Sequence, residues 1–407
     1  MRPPLLFLSH RIPYPPNKGD KIRSFHLLRY LSRRYRVFLG TFVDDPKDWQ
    51  YEEQLQEWCE ASCVRGLQPT RAKFLSLRGL ITGQPLTLPY YHDGKLEKWV
   101  HEVVEKEGIG DILVYSSAMA QYVLGGDFSG SRRIIDLVDV DSDKWRQYAE
   151  KKQWPMSWIY RREAERLLDF ERRIAGVSEA TLLVSDQEAL LFRELAPEVA
   201  DRIFALRNGV DLEAFDPEPD WPNPYARGRP HLVFTGAMDY WPNVDAVIWF
   251  AEQVFPILQA RFPGIEFHIV GSRPADQVRV LAGRHGVEVT GSVEQIQPYI
   301  RHADVAVIPM RIARGIQNKV LEAMAMARPV VVSPMGLEGI DARDGEELLV
   351  AEGAQNFADQ VGRVLEGDVS GEALGQAARR KVMRDFSWER VLPLLDRWFD
   401  GKPAVAA

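Results

Sequence analysis

The sequence predicts an α/β protein made of two doubly wound, parallel-sheet domains. Two observations carry that expectation. Short β-branched or apolar runs alternate with stretches of helical length, which is the pattern of βαβ units. The alternation breaks once, where four prolines fall within Asp216–Pro224, and then resumes. Proline carries no backbone N–H and cannot continue a helix or a central strand, so the break reads as a linker. A chain of 407 residues has room for two or three domains at roughly 100–200 residues each.

In the first half the expected strands are Leu5–Leu8, Arg36–Phe42, Asp111–Tyr115, Arg132–Leu137 and Thr181–Val184. Helices are expected at Lys21–Arg33, Lys95–Glu107 and Ser157–Ile174. After the break, strands are expected at Leu232–Thr235, Glu266–Val270, Val287–Thr290, Asp304–Ile308 and Pro329–Ser333. The helices between them fall at Asn243–Arg261, Ala275–Arg284, Glu294–Arg301 and Ile316–Ala327. Gly236, Gly271 and Gly291 sit just past strands, where a glycine lets the backbone turn sharply or approach a ligand. Ligands of doubly wound sheets bind at those carboxyl strand ends.

Hydrophobic residues make up 45% of the chain and charged residues 27%, which excludes a disordered chain. The formal charge of −7 argues against a nucleic-acid partner. Basic residues crowd Arg11–Arg36, either as a solvated helix face or as a patch for anionic lipid or a phosphorylated acceptor. Aromatics cluster at Trp145, Tyr148, Trp154, Trp158 and Tyr160, which suits interior packing or a surface at headgroup depth. Cys59 and Cys63 are the only cysteines. Their spacing allows one helix face, and they read as buried or free thiols rather than a zinc site, which suits a reducing compartment. No apolar run approaches the length of a membrane span, and the first one is too short for a signal peptide. The expected location is cytoplasmic, with a peripheral contact at the inner face of the plasma membrane left open.

The most informative stretch runs from Pro309 to Val331. A strand ends at Pro309, a loop with Arg311 and Arg314 follows, and a helix is expected to open near Gly315. Free N–H groups at a helix start favour a phosphate. Arg311, Arg314 and Lys319 add positive charge, and Gly315, Ile316, Gln317 and Asn318 supply backbone. Glu322 lies roughly 10 Å along the helix from Gly315 at about 1.5 Å per residue, about the distance from a diphosphate to a ribose. The alternative is a solvated Glu322 and a capping Arg314.

Here the chain resembles glycosyltransferase family 4, whose pattern is Glu, seven residues, then Glu-Ala-Met-Ala. The second Glu falls at Glu322, followed by Ala323-Met324-Ala325 and Arg328-Pro329-Val330-Val331. The first falls at Arg314, a departure that leaves the sugar contact open and would suit an acidic sugar. Other pieces are similar to the family in order: the loop Pro13–Arg23, Asn208-Gly209-Val210-Asp211 with Phe215, Thr235–Ala246, Thr290-Gly291-Ser292-Val293 and Phe386-Ser387-Trp388-Glu389. The form Arg-Gly-Ile-Gln-Asn-Lys-Val-Leu-Glu looks like an exosortase/PEP-CTERM and exopolysaccharide-associated subgroup.

The resemblance implies a GT-B fold, with two Rossmann-like domains facing a central cleft. The implied boundaries are an acceptor domain at 1–205, a hinge and linker at 206–230, a donor domain at 231–385, and a helix crossing back with a tail at 386–407. It implies a retaining, metal-independent glycosyltransferase of hexosyltransferase type, moving a sugar from a UDP- or GDP-sugar to a glycan or polyprenyl-linked acceptor. No cofactor or metal is expected beyond that co-substrate. The implied catalytic residues are Lys319, Arg311 and Asp139. The donor contacts are Glu322, Arg314, Gly315, Ile316, Gln317, Asn318, Gly236, Asn243, Gly291 and Val293. Asn17, Lys18, Gly19 and Arg23 form the N-terminal loop. Asp139, Asp141 and Asp143 either orient an acceptor hydroxyl or cap the following helix. Two rivals share the fold: a nonhydrolysing nucleotide-sugar 2-epimerase and a non-catalytic nucleotide-sugar binder.

Overall fold

A computed structural model describes residues 2–17, 19–313 and 315–400. Lys18 and Arg314, both expected at the site, lie outside the described residues. The chain divides into two compact units. Unit 1 comprises Met1–Arg207 and Leu392–Ala407, and unit 2 comprises Asn208–Val391.

Unit 1 holds a seven-stranded parallel sheet of β1 (Pro4–Ser9), β2 (Arg36–Val43), β3 (Ala61–Gly66), β4 (Asp111–Tyr115), β5 (Arg132–Val138), β6 (Ala180–Leu183) and β7 (Ile203–Ala205). Their order is β3-β2-β1-β4-β5-β6-β7. Unit 2 holds β8 (His231–Thr235), β9 (Glu266–Val270), β10 (Val287–Gly291), β11 (Val305–Ile308), β12 (Val330–Val332) and β13 (Leu349–Val350), in the order β10-β9-β8-β11-β12-β13. Both orders are doubly wound, and they reverse direction beside β1 and β8. A crevice opens there at the carboxyl strand ends. The central strands are apolar along their whole length because helices cover both faces, and Leu5–Leu8 and Val305–Ile308 are buried throughout.

Local chemistry sets the element ends. Asp93 caps the helix Gly94–Glu107 by accepting from the N–H groups of Lys95 and Leu96, and Gly108 ends it in the left-handed region. The helix expected at Asn243–Arg261 runs Trp241–Trp249, passes through a π-helical turn at Phe250–Val254, and resumes at Phe255–Arg261. Pro256 lacks the N–H that a regular turn needs, and the wider turn takes up the mismatch.

Several expectations change. The helix expected from Ile316 starts at Asn318, because Gln317 caps it in an extended conformation and Gly315 is left-handed. The helix expected at Glu294–Arg301 runs Gln297–His302. Cys63 lies in β3 while Cys59 follows a short 3-10 turn, so they share no helix face. Both are free, and burial pushes the Cys59 thiol up to about 12. The proline-rich stretch forms no helix or strand, yet unit 2 holds it: Arg379 pairs with Asp216, and Arg301 and His302 reach the carbonyls of Pro217 and Trp221.

The basic run Arg11–Arg36 is largely occupied in ion pairs. Arg11 engages Asp20 and Asp44, Lys21 engages Asp48, Arg23 engages Asp136, Arg34 engages Asp396, and Arg36 engages Glu107. Lys21 and Arg23 are fully buried, so the run is not a free cationic face. None of the described helices is long and apolar enough to cross a membrane.

Candidate functional site

In unit 2 three glycines line the carboxyl ends of β8, β9 and β10. The Gly236 N–H donates to Val270 O at 3.0 Å, and the Gly271 N–H to Gly291 O at 3.2 Å. Gly236 and Gly271 both have φ of +155°, a region side chains avoid. A Cβ on Gly271 would fall 1.7 Å from the carbonyl oxygen of Gly236, and one on Gly236 would fall 2.6 Å from Asn243 Nδ2 and 3.5 Å from Lys319 Cε. The row therefore keeps open a space that any side chain would fill.

Asn243, in the first turn of the helix Trp241–Trp249, is buried and donates to Ala237 O at 2.9 Å. Its Oδ1 accepts from Lys319 Nζ at 2.6 Å. Lys319 comes from the first turn of the helix Asn318–Ala325, lies against the Phe234 ring at 4.9 Å, and touches Met310 Sδ at 3.9 Å. Burial pushes its ammonium down to about 8, opposed by attraction to Glu322. Glu322 stands one turn further along the same face. Burial lifts its carboxyl to about 7, opposed by Lys319.

Gly236, Asn243 and Lys319 thus come together, with Glu322 alongside and Gly291 at the end of the glycine row. Gly315, Ile316 and Gln317 form the non-helical lead-in, where Gln317 Nε2 donates to Gly315 O at 3.0 Å. Asn318 Oδ1 is buried without a hydrogen-bond partner among the described residues. Val293 packs half-buried on the core. Arg311 turns elsewhere: it forms two hydrogen bonds to Asp245, at 2.5 and 3.0 Å, and stacks over Trp249. Its charge is matched by that carboxylate rather than offered beside Lys319.

Two of the resembling segments meet inside unit 2. A Cβ on Gly209 would fall 2.7 Å from the Trp388 ring, and the Val210 N–H donates to Phe386 O at 2.7 Å. Close backbone approach explains the glycine of Asn208-Gly209-Val210-Asp211.

In unit 1, Asn17 donates its backbone N–H to Pro15 O and Gly19 opens the helix Gly19–Ser32. Arg23 points inward, to Asp136 at 2.8 Å and the Arg207 carbonyl at 3.3 Å, so it braces the sheet rather than a loop. Asp139 and Asp141 share Lys144, at 2.7 and 3.2 Å. They cap nothing. The helix Asp141–Glu150 is instead received by two buried glutamates: Glu188 accepts from the Val140 N–H, and Glu171 from the Ser142 N–H and hydroxyl.

Sequence reasoning missed a second cluster, His10, Arg11 and Asp20, at the carboxyl end of β1. His10 stacks on Tyr115 at 5.6 Å, with Nε2 3.5 Å from the Asp20 carboxylate. Burial alone would raise Asp20, but His10 and Arg11 outweigh it and hold the carboxyl well below the usual range. The available signal was position, since His10-Arg11 directly follows the strand at the switch point. Nearby, Ser116 and Val138 have φ of +79° and +69° at the ends of β4 and β5. A β-branched residue there is a genuine outlier, and such strain gathers at functional sites.

Residues 229–367 match the family described as glycosyl transferases group 1. The matched segment lies wholly within unit 2. The chain is also 30% identical over 203 residues to a phosphatidyl-myo-inositol mannosyltransferase of Mycobacterium tuberculosis, across 47% of this chain and 52% of that protein. The chain spans about half the length of the curated relatives it matches. Sucrose-phosphate synthase from Thermosynechococcus elongatus superposes with a TM-score of 0.71 at 17% identity, over 98% of this chain and 99% of that one. Anabaena HepE, solved in complex with UDP and glucose, superposes with a TM-score of 0.66 at 14% identity, over 98% and 100%. These likenesses establish the GT-B glycosyltransferase fold. The segment that matches the group 1 family encloses the whole glycine row and the Lys319 helix.

Proposed function

We propose that this chain is a retaining glycosyltransferase that binds a nucleotide-diphosphate sugar in unit 2 and passes the sugar to a glycan or polyprenyl-linked acceptor, as in exopolysaccharide-type synthesis. The observation that carries this reading is the Gly236–Asn243–Lys319 cradle at the switch point of the group 1 domain, with Glu322 one turn away. The glycine row admits a diphosphate to the backbone, Lys319 meets its charge, and the Glu322 carboxylate accepts the ribose hydroxyls. As the sugar–phosphate bond breaks, charge builds on the diphosphate, and a preorganised cation there supplies the largest catalytic term. The acceptor oxygen bonds to the sugar on the leaving-group face, and its proton passes to the departing phosphate. No protein nucleophile and no metal are required. We assign acceptor recognition to Asp139 and the carboxyl ends of β1, β4 and β5.

Exposed Phe74, Ile81, Trp154 and Trp158 support a lipid-linked acceptor. Arg162 ties the helix of Trp158 to that of Ile81 by donating to Gly79 O at 2.6 Å, and Trp favours headgroup depth.

The test is calorimetry of UDP, GDP and their sugars, paired with transfer and hydrolysis assays with and without added Mg2+. One nucleotide class should bind, Glu322→Ala should weaken it at least about 10-fold, and Lys319→Ala should lower kcat about 10²–10³-fold. Product NMR should show the donor's anomeric configuration. Unchanged affinity in Glu322→Ala would remove the ribose role, and tight binding without transfer would leave a binding protein.

A further inference from the structure

A polar stripe interrupts the sheet of unit 2 at the end opposite the glycine row. His231 opens β8, Glu266 opens β9, and His268 follows two residues later. The register pairs His231 with Glu266 and Val233 with His268. Alternation then sets all three side chains on one face. Parallel strands covered on both sides are normally apolar throughout, so such a stripe calls for a reason.

The geometry supplies one. His231 Nδ1 lies 3.1 Å from His268 Nε2, and each lies 3.5 Å from Glu266 Oε2. The other atoms of these groups are already committed. His231 Nε2 stands 2.7 Å from Ala226 O, so it carries the proton and donates. His268 Nδ1 lies 3.0 Å from the Glu288 carboxylate, at ion-pair distance but without hydrogen-bond geometry. Glu266 Oε1 is held by Arg229 at 2.6 Å. With the His268 proton on Nδ1, beside Glu288, the three facing atoms are all lone-pair donors converging on one point. Both imidazoles are almost fully buried, and Tyr225 stacks on His231 at 4.5 Å.

We propose that His231, His268 and Glu266 bind a zinc ion, with water in the fourth position. Zinc bonds of roughly 2.0–2.2 Å at tetrahedral angles space the ligands about 3.3–3.5 Å apart, close to the triangle here, whose sides are 3.1, 3.5 and 3.5 Å. Two imidazoles and one carboxylate suit zinc among available divalent ions. Ala226 O, Glu288 and Arg229 act as the outer partners that fix ring tautomer and carboxylate orientation. The ion ties the amino ends of β8 and β9 together, at the end of the sheet where ligands of this fold do not bind. It is a structural site.

The test uses the full chain, stripped with a chelator and then freed of it. Titration with zinc sulfate against a chromophoric chelator should show one equivalent bound, and the melting temperature should rise with the logarithm of free zinc. Cobalt(II) should give visible bands of tetrahedral intensity. Glu266→Gln and His268→Gln should abolish the bound equivalent, and Glu288→Gln should weaken it about 10–100-fold. Glu288→Gln removes no ligand, so it keeps the test decisive if the ligand variants fail to fold. A wild-type chain that binds no stoichiometric zinc would overturn the proposal, and so would one that Glu288→Gln matches in affinity. The trio would then be two imidazoles sharing one proton beside a carboxylate.

Discussion

Lys319 and Glu322 are held near neutrality by burial, at about 8 and about 7 respectively. A diphosphate beside Lys319 would restore its proton, because an opposite charge favours the ammonium. Nucleotide binding at pH 8.5 should therefore take up a fraction of a proton, read as a calorimetric enthalpy that varies with the buffer's ionisation heat. Lys319→Met should remove that dependence, and a buffer-independent wild type would contradict it. Affinity should fall as pH rises through about 8, where Lys319 loses its charge. It should also fall as pH drops through about 7, where Glu322 stops accepting from the ribose. At this scale Gly236, Asn243 and Lys319 were legible because each adjoins a strand end or a helix start. The pairing of Arg311 was not legible, because its partner Asp245 comes 66 residues earlier. The His231–Glu266–His268 cluster was invisible because only strand register brings His231 to His268.

The ends of β8 and β9 form one element pair whose spacing depends on the absence of side chains. Gly271→Ala would drive a Cβ into the Gly236 carbonyl, 1.7 Å away, while forcing a left-handed φ on alanine. The expected cost is at least about 3 kcal/mol, measured as a lower urea midpoint. A loss below about 0.5 kcal/mol would show that the strand ends part easily. Central strands were legible because their apolar runs are continuous. The edge strands β3 and β13 were not: β3 reads Ala-Ser-Cys-Val-Arg-Gly and β13 spans two residues, so neither shows a buried strand's pattern. The start of the Lys319 helix was misread because Gly315 and Gln317 depart from helical dihedrals while the apolar period continues through them.

Each unit has its own large hydrophobic core, so unfolding should not be two-state. Glu171 separates the transitions. Burial and the nearby Asp141 raise its carboxyl to about 8 in the fold. Folded unit 1 therefore keeps a proton that the unfolded chain releases near pH 4.5, and its stability should fall as pH rises from about 4.5 to about 8. Scanning calorimetry at pH 5 and pH 8.5 should show one transition dropping with pH, and Glu171→Gln should flatten that drop. A nucleotide should instead raise the other transition. Two transitions moving together under both treatments would refute independent cores.

Unit 1 is completed by the last described residues. Trp398 packs on Phe204 at 5.2 Å, Phe399 on Tyr35 at 5.6 Å, and the Tyr30 hydroxyl donates to Asp396 at 2.8 Å. During synthesis these partners leave the ribosome roughly 190 residues after Phe204, a delay of about 10–40 s at about 5–20 residues per second. All of unit 2 is translated in that interval. The newborn chain therefore carries an uncovered aromatic seam throughout that interval. A ribosome stalled before Leu392 would hold unit 1 with its seam still open, however much of unit 2 had emerged.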